Sequence, residues 1–198
     1  MANYREEEMK LFVADLGAVA RQLEAAGAKL TGPRVYERNV RYDDDSHALT
    51  SLGIVVRLRQ DTRVRLTYKE GGETSDTDVL SRFEAEVQVS DFDGMDTILK
   101  KLGLQPYMIY EKYRTTYKLD DLEIVLDEMP YGNFVEIEGE AGKIDPLREQ
   151  LGLRDAPNFH AGYVALFERI RRRLGLDFTD LTFDNFKGIK VTRQAFEE

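Results

Sequence analysis

Residues 84–117 read EAEVQVSDFDGMDTILKKLGLQPYMIYEKYRTTY, and the plan of this stretch occurs twice in the chain. Its counterpart is EEEMKLFVADLGAVARQLEAAGAKL at 6–30, followed by VYERNVRY at 35–42. In both, an E-x-E strand leads through an Asp-containing turn to an amphipathic helix and a glycine. A strand then opens hydrophobic-Tyr-Glu-(Arg or Lys). Two more strand-like segments follow each copy: GIVVRLRQ (53–60) and RVRLTYKE (63–70), then LEIVLDEM (122–129) and NFVEIEGE (133–140). Leu16, Val19, Ala20 and Leu23 recur at helical spacing behind Asp15, and Met95, Ile98, Leu99 and Leu102 do so before Gly103. The repeat therefore predicts two strand–helix–strand–strand–strand units and about eight strands. Such units can close into a barrel, which leaves no exposed edge.

Period-two alternation assigns the faces. Phe83, Ala85, Val87 and Val89 alternate with Arg82, Glu84, Glu86 and Gln88. Val56 and Leu58 alternate with Arg57 and Arg59. Leu66 and Tyr68 oppose Arg65, Thr67 and Lys69. Tyr113 and Tyr117 oppose Lys112 and Arg114. Leu122, Ile124 and Leu126 oppose Glu123 and Asp127. Val135 and Ile137 oppose Phe134, Glu136 and Glu138. In the opening EEEMK, Glu6, Glu8 and Lys10 share a face. Any one of these strands could be half of an ordinary solvated sheet. Close-set Glu and Arg are nevertheless poor strand formers, and like neighbours repel. The helices also need an apolar sheet face to cover. If they cover the outside, the charged faces point inward.

The chain has 198 residues, no Cys, two His and a net charge of -9. This size accommodates one domain with a substantial core. The lack of Cys removes disulfides, thiolate nucleophiles and Cys-ligated metals, and two histidines leave little for a His-based zinc site. No apolar run reaches the roughly 20 residues of a membrane span, and the charged opening does not have the form of a signal peptide. The expectation is a cytoplasmic protein without a membrane. The acidic balance speaks against a partner in duplex nucleic acid, whose binders are basic. No GxxxxGK[ST] stretch is present, so phosphate chemistry would proceed without a P-loop.

Taken in order, ExExK at 6–10, Arg57 with Arg59, Lys69, Arg82 with ExE at 84–86, Lys112 with Arg114, Asp127, and ExE at 136–138 resemble the CYTH domain. This is the superfamily of triphosphate tunnel metalloenzymes, with class IV adenylyl cyclases and inorganic triphosphatases among its members. The resemblance runs from Glu6 to about Glu138. It implies an α+β fold: a closed eight-stranded antiparallel β-barrel with helices outside and a C-terminal helical cap. Residues 1–140 would form the barrel and 141–198 the helical region of a single domain. It implies metal ligands at Glu6, Glu8, Glu84, Glu86, Asp127, Glu136 and Glu138, with Mg²⁺ or Mn²⁺ as the ion. It implies phosphate ligands at Arg57, Arg59, Lys69, Arg82, Lys112 and Arg114. The chemistry agrees, because arginines at alternate positions can fork onto neighbouring phosphate oxygens, and hard divalent ions prefer carboxylates and bridge to phosphates.

The partner is then a small triphosphate, tripolyphosphate or ATP, and a homodimer remains open. Two chemistries fit: hydrolysis releasing orthophosphate, or cyclisation of ATP to cyclic AMP and pyrophosphate. Cyclases of the family carry His-Phe shortly before ExExK, where this chain has Asn3-Tyr4, and the stacking Trp of thiamine triphosphatases has no counterpart here. Inorganic triphosphatases pair the ExExK lysine with a tyrosine on the next strand. Lys10 with Tyr42 matches that pattern and places hydrolysis first, with Lys10 and Tyr42 as catalytic pair. A third reading is a non-catalytic polyphosphate-binding module. Elsewhere, Asp43-Asp44-Asp45 reads as a solvated turn, and the acidic start of DFDGMD (91–96) as a helix N-terminus. In GYVALFERIRRRLGL (162–176), Val164, Phe167, Ile170 and Leu174 form an apolar stripe, and the arginines at 169 and 171–173 a solvated face.

Overall fold

A computed structural model describes residues 5–74 and 79–196. Asn3 and Tyr4 lie outside the described residues. The element order is β1 (Arg5–Val13), α1 (Leu16–Ala25), β2 (Lys29–Asp43), α2 (Ala48–Ser51), β3 (Val55–Gln60), β4 (Val64–Lys69), β5 (Glu73–Thr74) and β6 (Leu80–Val89). It continues with α3 (Phe92–Lys101), β7 (Gln105–Leu119), β8 (Leu122–Met129), β9 (Gly132–Glu138), α4 (Ala141–Gln150), α5 (Tyr163–Leu174) and a 3₁₀ turn at Arg193–Phe196. The two halves follow the repeat, with the short α2 and β5 added in the first.

The strands pair in the order β1-β9-β8-β7-β2-β3-β4-β6, and β6 pairs again with β1. All these pairings are antiparallel, so the hydrogen bonds run round a ring of eight strands. β5 adds two residues to the edge of β6. Among the described residues, no helix is long and apolar enough to cross a membrane.

Aspartates cap the starts of α1 and α3. The Asp15 carboxylate accepts from the Ala18 N–H at 3.1 Å, and Asp91 from the Gly94 N–H at 2.7 Å. Asp43 is not solvated as the sequence suggested. It is buried, and its carboxylate accepts from the backbone N–H groups of Leu49 and Thr50 at the start of α2. Val19 and Leu23 of α1 pack with Leu11, Ile124, Ile137 and α4 over the outward faces of β1, β8 and β9. Leu99 and Met95 of α3 pack on Val40, Tyr42, Val56 and Leu58. Ile98 and Leu102, read from spacing as part of the same stripe, lie on the far side of α3 and are exposed.

A third core is aromatic. On the inward parity, Phe12, Met108 and Phe134 do not meet charges. They join Tyr131, Tyr163, Leu166, Phe167, Ile170, Phe186 and Phe196 under α5. The interior is thus charged over part of its length and apolar over the rest. The buried stripe of α5 is Tyr163, Leu166, Phe167 and Ile170, while Leu174 is exposed. Backbone bonds tie the C-terminal segment to the ring: Phe159 N–H to the Lys10 carbonyl at 2.8 Å and Leu181 N–H to the Ile109 carbonyl at 2.9 Å. Phe134 is fully buried and holds edge contacts with Phe12, Tyr131 and Tyr163. Phe134→Ala should cost about 3–5 kcal/mol, as deletion of a buried aromatic does. Urea unfolding measures it, and a loss below about 1 kcal/mol would show that this cluster is not a core.

Candidate functional site

The strand register sets the site. Inward side chains of opposite sign face each other across most strand pairs: Glu6 opposite Arg82, Lys10 opposite Glu136, Lys69 opposite Glu84, Lys112 opposite Glu37, and Arg114 opposite Asp127. Opposite charges directly across an antiparallel pair stabilise it, and like charges destabilise it. Besides the exposed Lys29 opposite Lys118, the register puts like charges together in two places. Glu138 of β9 sits opposite Glu8 of β1 and Glu123 of β8. Arg57 of β3 sits opposite Arg41 of β2, and Arg59 opposite Arg65 of β4. Round the ring, β9 and β3 are separated by the same number of steps either way, through β8, β7 and β2 or through β1, β6 and β4. An acidic wall therefore faces a basic wall.

Between them lies a cavity of about 790 Å³ lined by Glu6, Glu8, Lys10, Arg57, Arg59, Lys69, Arg82, Glu84, Glu86, Lys112, Arg114, Glu136 and Glu138, all of which the sequence had singled out. Two of its expectations fail on geometry. Tyr42 lies on the outward parity with Val40, and its hydroxyl donates to Asp96 of α3 at 2.7 Å, so it forms no pair with Lys10. Asp127 is fully buried beneath the cavity and accepts from Lys112 at 2.9 Å, Arg114 at 2.6 Å and the Tyr163 hydroxyl at 2.8 Å. Three donors occupy its oxygens, which makes it a counter-ion of the cations rather than a ligand for a further one.

Other lining residues carried no site role in the sequence reading, and they include two arginines of α5 read there as a solvated face. Arg41, Arg65, Tyr107, Tyr110 and Tyr163 line the cavity, as do Arg169 and Arg172 at its rim. Glu37 and Asn39 are buried behind Arg59, whose guanidinium donates to Asn39 at 3.2 Å and lies 3.5 Å from Glu37. The period-two alternation of YERNVR places Glu37, Asn39 and Arg41 on one face, so the signal was present.

The charges on each wall are differently satisfied. Lys10 lies 3.1 Å from Glu136 and 3.5 Å from Glu8. Burial works to lower its pKa, yet these carboxylates hold it above the ordinary lysine value. Glu136, despite burial, is held well below the usual carboxylate range by Lys10, Arg114 and Lys112. Glu6 is held low by Lys69 and Arg82 against its burial, and Glu84, buried and hydrogen-bonded to Glu6, is pushed up. Glu138 differs. Among the described residues no cation forms an ion pair with it, and burial with Glu136 and Glu6 nearby pushes it up to about 8. Glu6, Glu8 and Glu138 each offer a carboxylate oxygen within 4.8 Å of the others. Glu6 and Glu8 already pair with Lys69, Arg82 and Lys10, so Glu138 brings the unanswered charge to an all-carboxylate set of the kind a hard divalent cation takes. Glu86, by contrast, accepts from Thr67 at 2.8 Å and faces Arg57 and Arg65. On the basic wall Arg41, Arg57, Arg59 and Arg65 stand side by side across β2, β3 and β4 and all line the cavity. A run of guanidinium groups lining one cavity suits an anion.

The CYTH domain family matches residues 5–152, and the chain belongs to that family. A protein of Methanocaldococcus jannaschii named "Putative adenylate cyclase" is 29% identical over 135 residues, 67% of this chain and 75% of its own. A crystal structure from Vibrio parahaemolyticus, named in the same terms, superposes with a TM-score of 0.75 at 17% identity, covering 84% of this chain and 99% of that one. A Hippeastrum protein, also so named and described as revealing a dominant triphosphatase activity, has a TM-score of 0.63 at 19% identity and covers 82% and 95%. At these identities the solved structures establish likeness of fold.

Because Tyr42 faces α3, Tyr42→Phe should leave any phosphate chemistry of the cavity unchanged. It should cost about 1 kcal/mol of stability for the lost hydrogen bond to Asp96. Paired unfolding curves and initial-rate assays check this. A large fall in rate with unchanged stability would return Tyr42 to the reaction.

Proposed function

We propose that this chain is a Mg²⁺- or Mn²⁺-dependent enzyme that cleaves triphosphates inside its ring of strands, which serves as a tunnel, and that hydrolysis to orthophosphate is its reaction. The observation that carries this reading is the acidic wall facing the basic wall. Each gathers like charges across a strand pair, and a ligand of opposite sign would add to the ion pairs that already answer part of that charge. A triphosphate with a divalent cation supplies both signs in one molecule. A phosphate-binding module would be served by the arginines alone and leaves the acidic wall without a role.

The parts follow from the geometry. Arg57 and Arg59, at alternate positions of β3, present their guanidinium groups to neighbouring phosphates, with Arg41 and Lys112 beside them. Glu37 and Asn39 fix Arg59 from behind, and Asp127 fixes Lys112 and Arg114, so the cradle is ordered before the substrate arrives. Glu6, Glu8 and Glu138 are the residues that would hold the divalent ion, whose charge would polarise a phosphoryl oxygen. Lys10, paired to Glu8 and Glu136, stays protonated and acts as a fixed positive charge at the edge of the acidic wall, not as a base.

The second reading, cyclisation of ATP, is favoured by the name of the Methanocaldococcus relative. With Tyr42 outside the cavity, hydrolysis rests on the lining itself. That lining is charged on nearly every strand and suits a phosphate chain more than a nucleoside. Incubation with tripolyphosphate or ATP, with and without Mg²⁺ or Mn²⁺, separates the outcomes. Metal-dependent orthophosphate release supports hydrolysis. Cyclic AMP with pyrophosphate establishes the second reading, and tight binding without turnover a binding module.

The two walls also predict separable losses. Glu138→Gln should weaken Mn²⁺ binding by on the order of ten- to a hundred-fold while metal-free tripolyphosphate still binds. Arg59→Ala should do the reverse. Calorimetric titration reads both, and equal small effects from the two changes would place these charges outside any ligand site.

A further inference from the structure

Tyr110 of β7 is the tyrosine of the repeated hydrophobic-Tyr-Glu-(Arg or Lys) pattern at Ile109–Lys112, and it lies outside the motifs that carry the family resemblance. It lies opposite Asn39 of β2, is 5% exposed, and faces the cavity. Its phenolic oxygen accepts a hydrogen bond from Arg57 Nη1 at 2.9 Å, while Arg57 Nη2 is held by Thr67 at 3.1 Å. The other phenols buried here have committed their protons. Tyr163 donates to Asp127 at 2.8 Å, and Tyr131 to the Tyr163 carbonyl at 2.8 Å. Among the described residues no acceptor takes the Tyr110 proton. A buried hydroxyl whose oxygen is fixed by a phosphate-side arginine, and whose proton has no protein acceptor, is poised for a ligand oxygen.

We infer that Tyr110 contacts the bound triphosphate and is the proton donor to the oxygen expelled when a P–O bond breaks. The step rests on the triphosphate-cleaving reading above, and it serves hydrolysis and cyclisation alike, since both expel a phosphate oxygen. In hydrolysis, the water oxygen forms a bond to the terminal phosphorus. The bond from that phosphorus to the bridging oxygen breaks, and its electron pair stays on the bridging oxygen. The phenolic proton of Tyr110 moves onto that oxygen. The water gives up a proton to solvent, and solvent returns one to the phenolate.

The surroundings are suited to a phenolate formed in passing. Burial by itself raises the Tyr110 pKa, but Arg57, Lys112 and Arg59 bring it down to about 8. Tyr131 and Tyr163, equally buried but near Glu136 and Asp127, are pushed well above the ordinary tyrosine value. The charged groups around the Tyr110 hydroxyl are Arg57 and Arg59 on β3 and Lys112 on β7. Behind them stand Glu37 on β2, paired with Arg59 and Lys112, and Glu86 on β6, 3.6 Å from Arg57. A bound triphosphate adds negative charge beside the phenol and should raise its pKa, which keeps the proton in place until it is transferred.

The test compares the full chain with Tyr110→Phe. With Mg²⁺ and tripolyphosphate, the variant should lose about 10²–10⁴ in kcat, the contribution of a positioned acid, with KM within a few-fold of the parent. The parent's rate should fall on the alkaline side, where the acid is deprotonated, and this limb should vanish in the variant. A structural role alone would lower the rate without removing the limb. A second measurement does not depend on turnover. The tyrosinate absorbance of the parent minus that of Tyr110→Phe should titrate near pH 8 in the free protein. With saturating tripolyphosphate it should move to higher pH. If that titration does not move while calorimetry shows tripolyphosphate bound, Tyr110 does not contact it and the inference is overturned. If it moves but no phosphate is released by any substrate, the contact stands and the reaction reading fails. If tripolyphosphate does not bind at all, both fall.

Discussion

Charge that is enclosed has to be answered by charge, and the inside of the ring is arranged around that requirement. Taking an ion out of water costs several kcal/mol unless a partner of opposite sign is placed within reach. The register meets the demand strand by strand, with Glu6 against Arg82, Lys10 against Glu136, Lys112 against Glu37 and Arg114 against Asp127. These pairs do more than permit folding. Each fixes a long, flexible side chain in one orientation, so the arginines and lysines of the cavity are ordered in advance. Breaking one partner leaves the other buried and unpaired, which is why the network is expected to respond as a unit to substitution.

The departures from pairing are as informative as the pairs. Glu138 faces Glu8, and Arg57 faces Arg41, on opposite sides of the same cavity. A sheet selected for stability alone would not place like charges directly across a strand pair. The cost is tolerable where a ligand of the other sign completes the arrangement. The fold alone does not assign the reaction, because the same scaffold carries names of two activities among its relatives. That assignment rests with the residues of the site.

Much of this was legible in the sequence because a strand has a period of two. Once Val56 and Leu58 are outward, Arg57 and Arg59 must be inward, and the same step places Lys69, Glu84, Glu86, Lys112 and Glu136. The misreading of Tyr42 came from setting the rule aside. In YERNVRY the apolar Val40 fixes the outward parity, Tyr42 shares it, and Asp96 of α3 takes its hydroxyl. The same parity would have supplied Glu37, Asn39 and Arg41. Other features were out of reach of a local pattern. Asp127 is inward as alternation requires, but its three donors come from β7 and α5, so its role depends on tertiary placement. Phe12 and Phe134 share the inward parity of the charges yet belong to an aromatic core, because α5 folds over that part of the interior. Tyr163 enters the site from beyond residue 152, where the family match ends. No strand periodicity could have announced it.

The central claim is that one cavity takes a cation on one wall and a polyphosphate on the other, each favouring the other. Titration calorimetry of tripolyphosphate into the protein, once in chelator and once with Mn²⁺, measures this directly, with Mn²⁺ titrated into tripolyphosphate as the solution control. The account predicts one tripolyphosphate per chain without metal. It also predicts tighter binding with Mn²⁺ than the solution complex alone explains. Tripolyphosphate binding that is absent without metal, or indifferent to it once the control is subtracted, would contradict it.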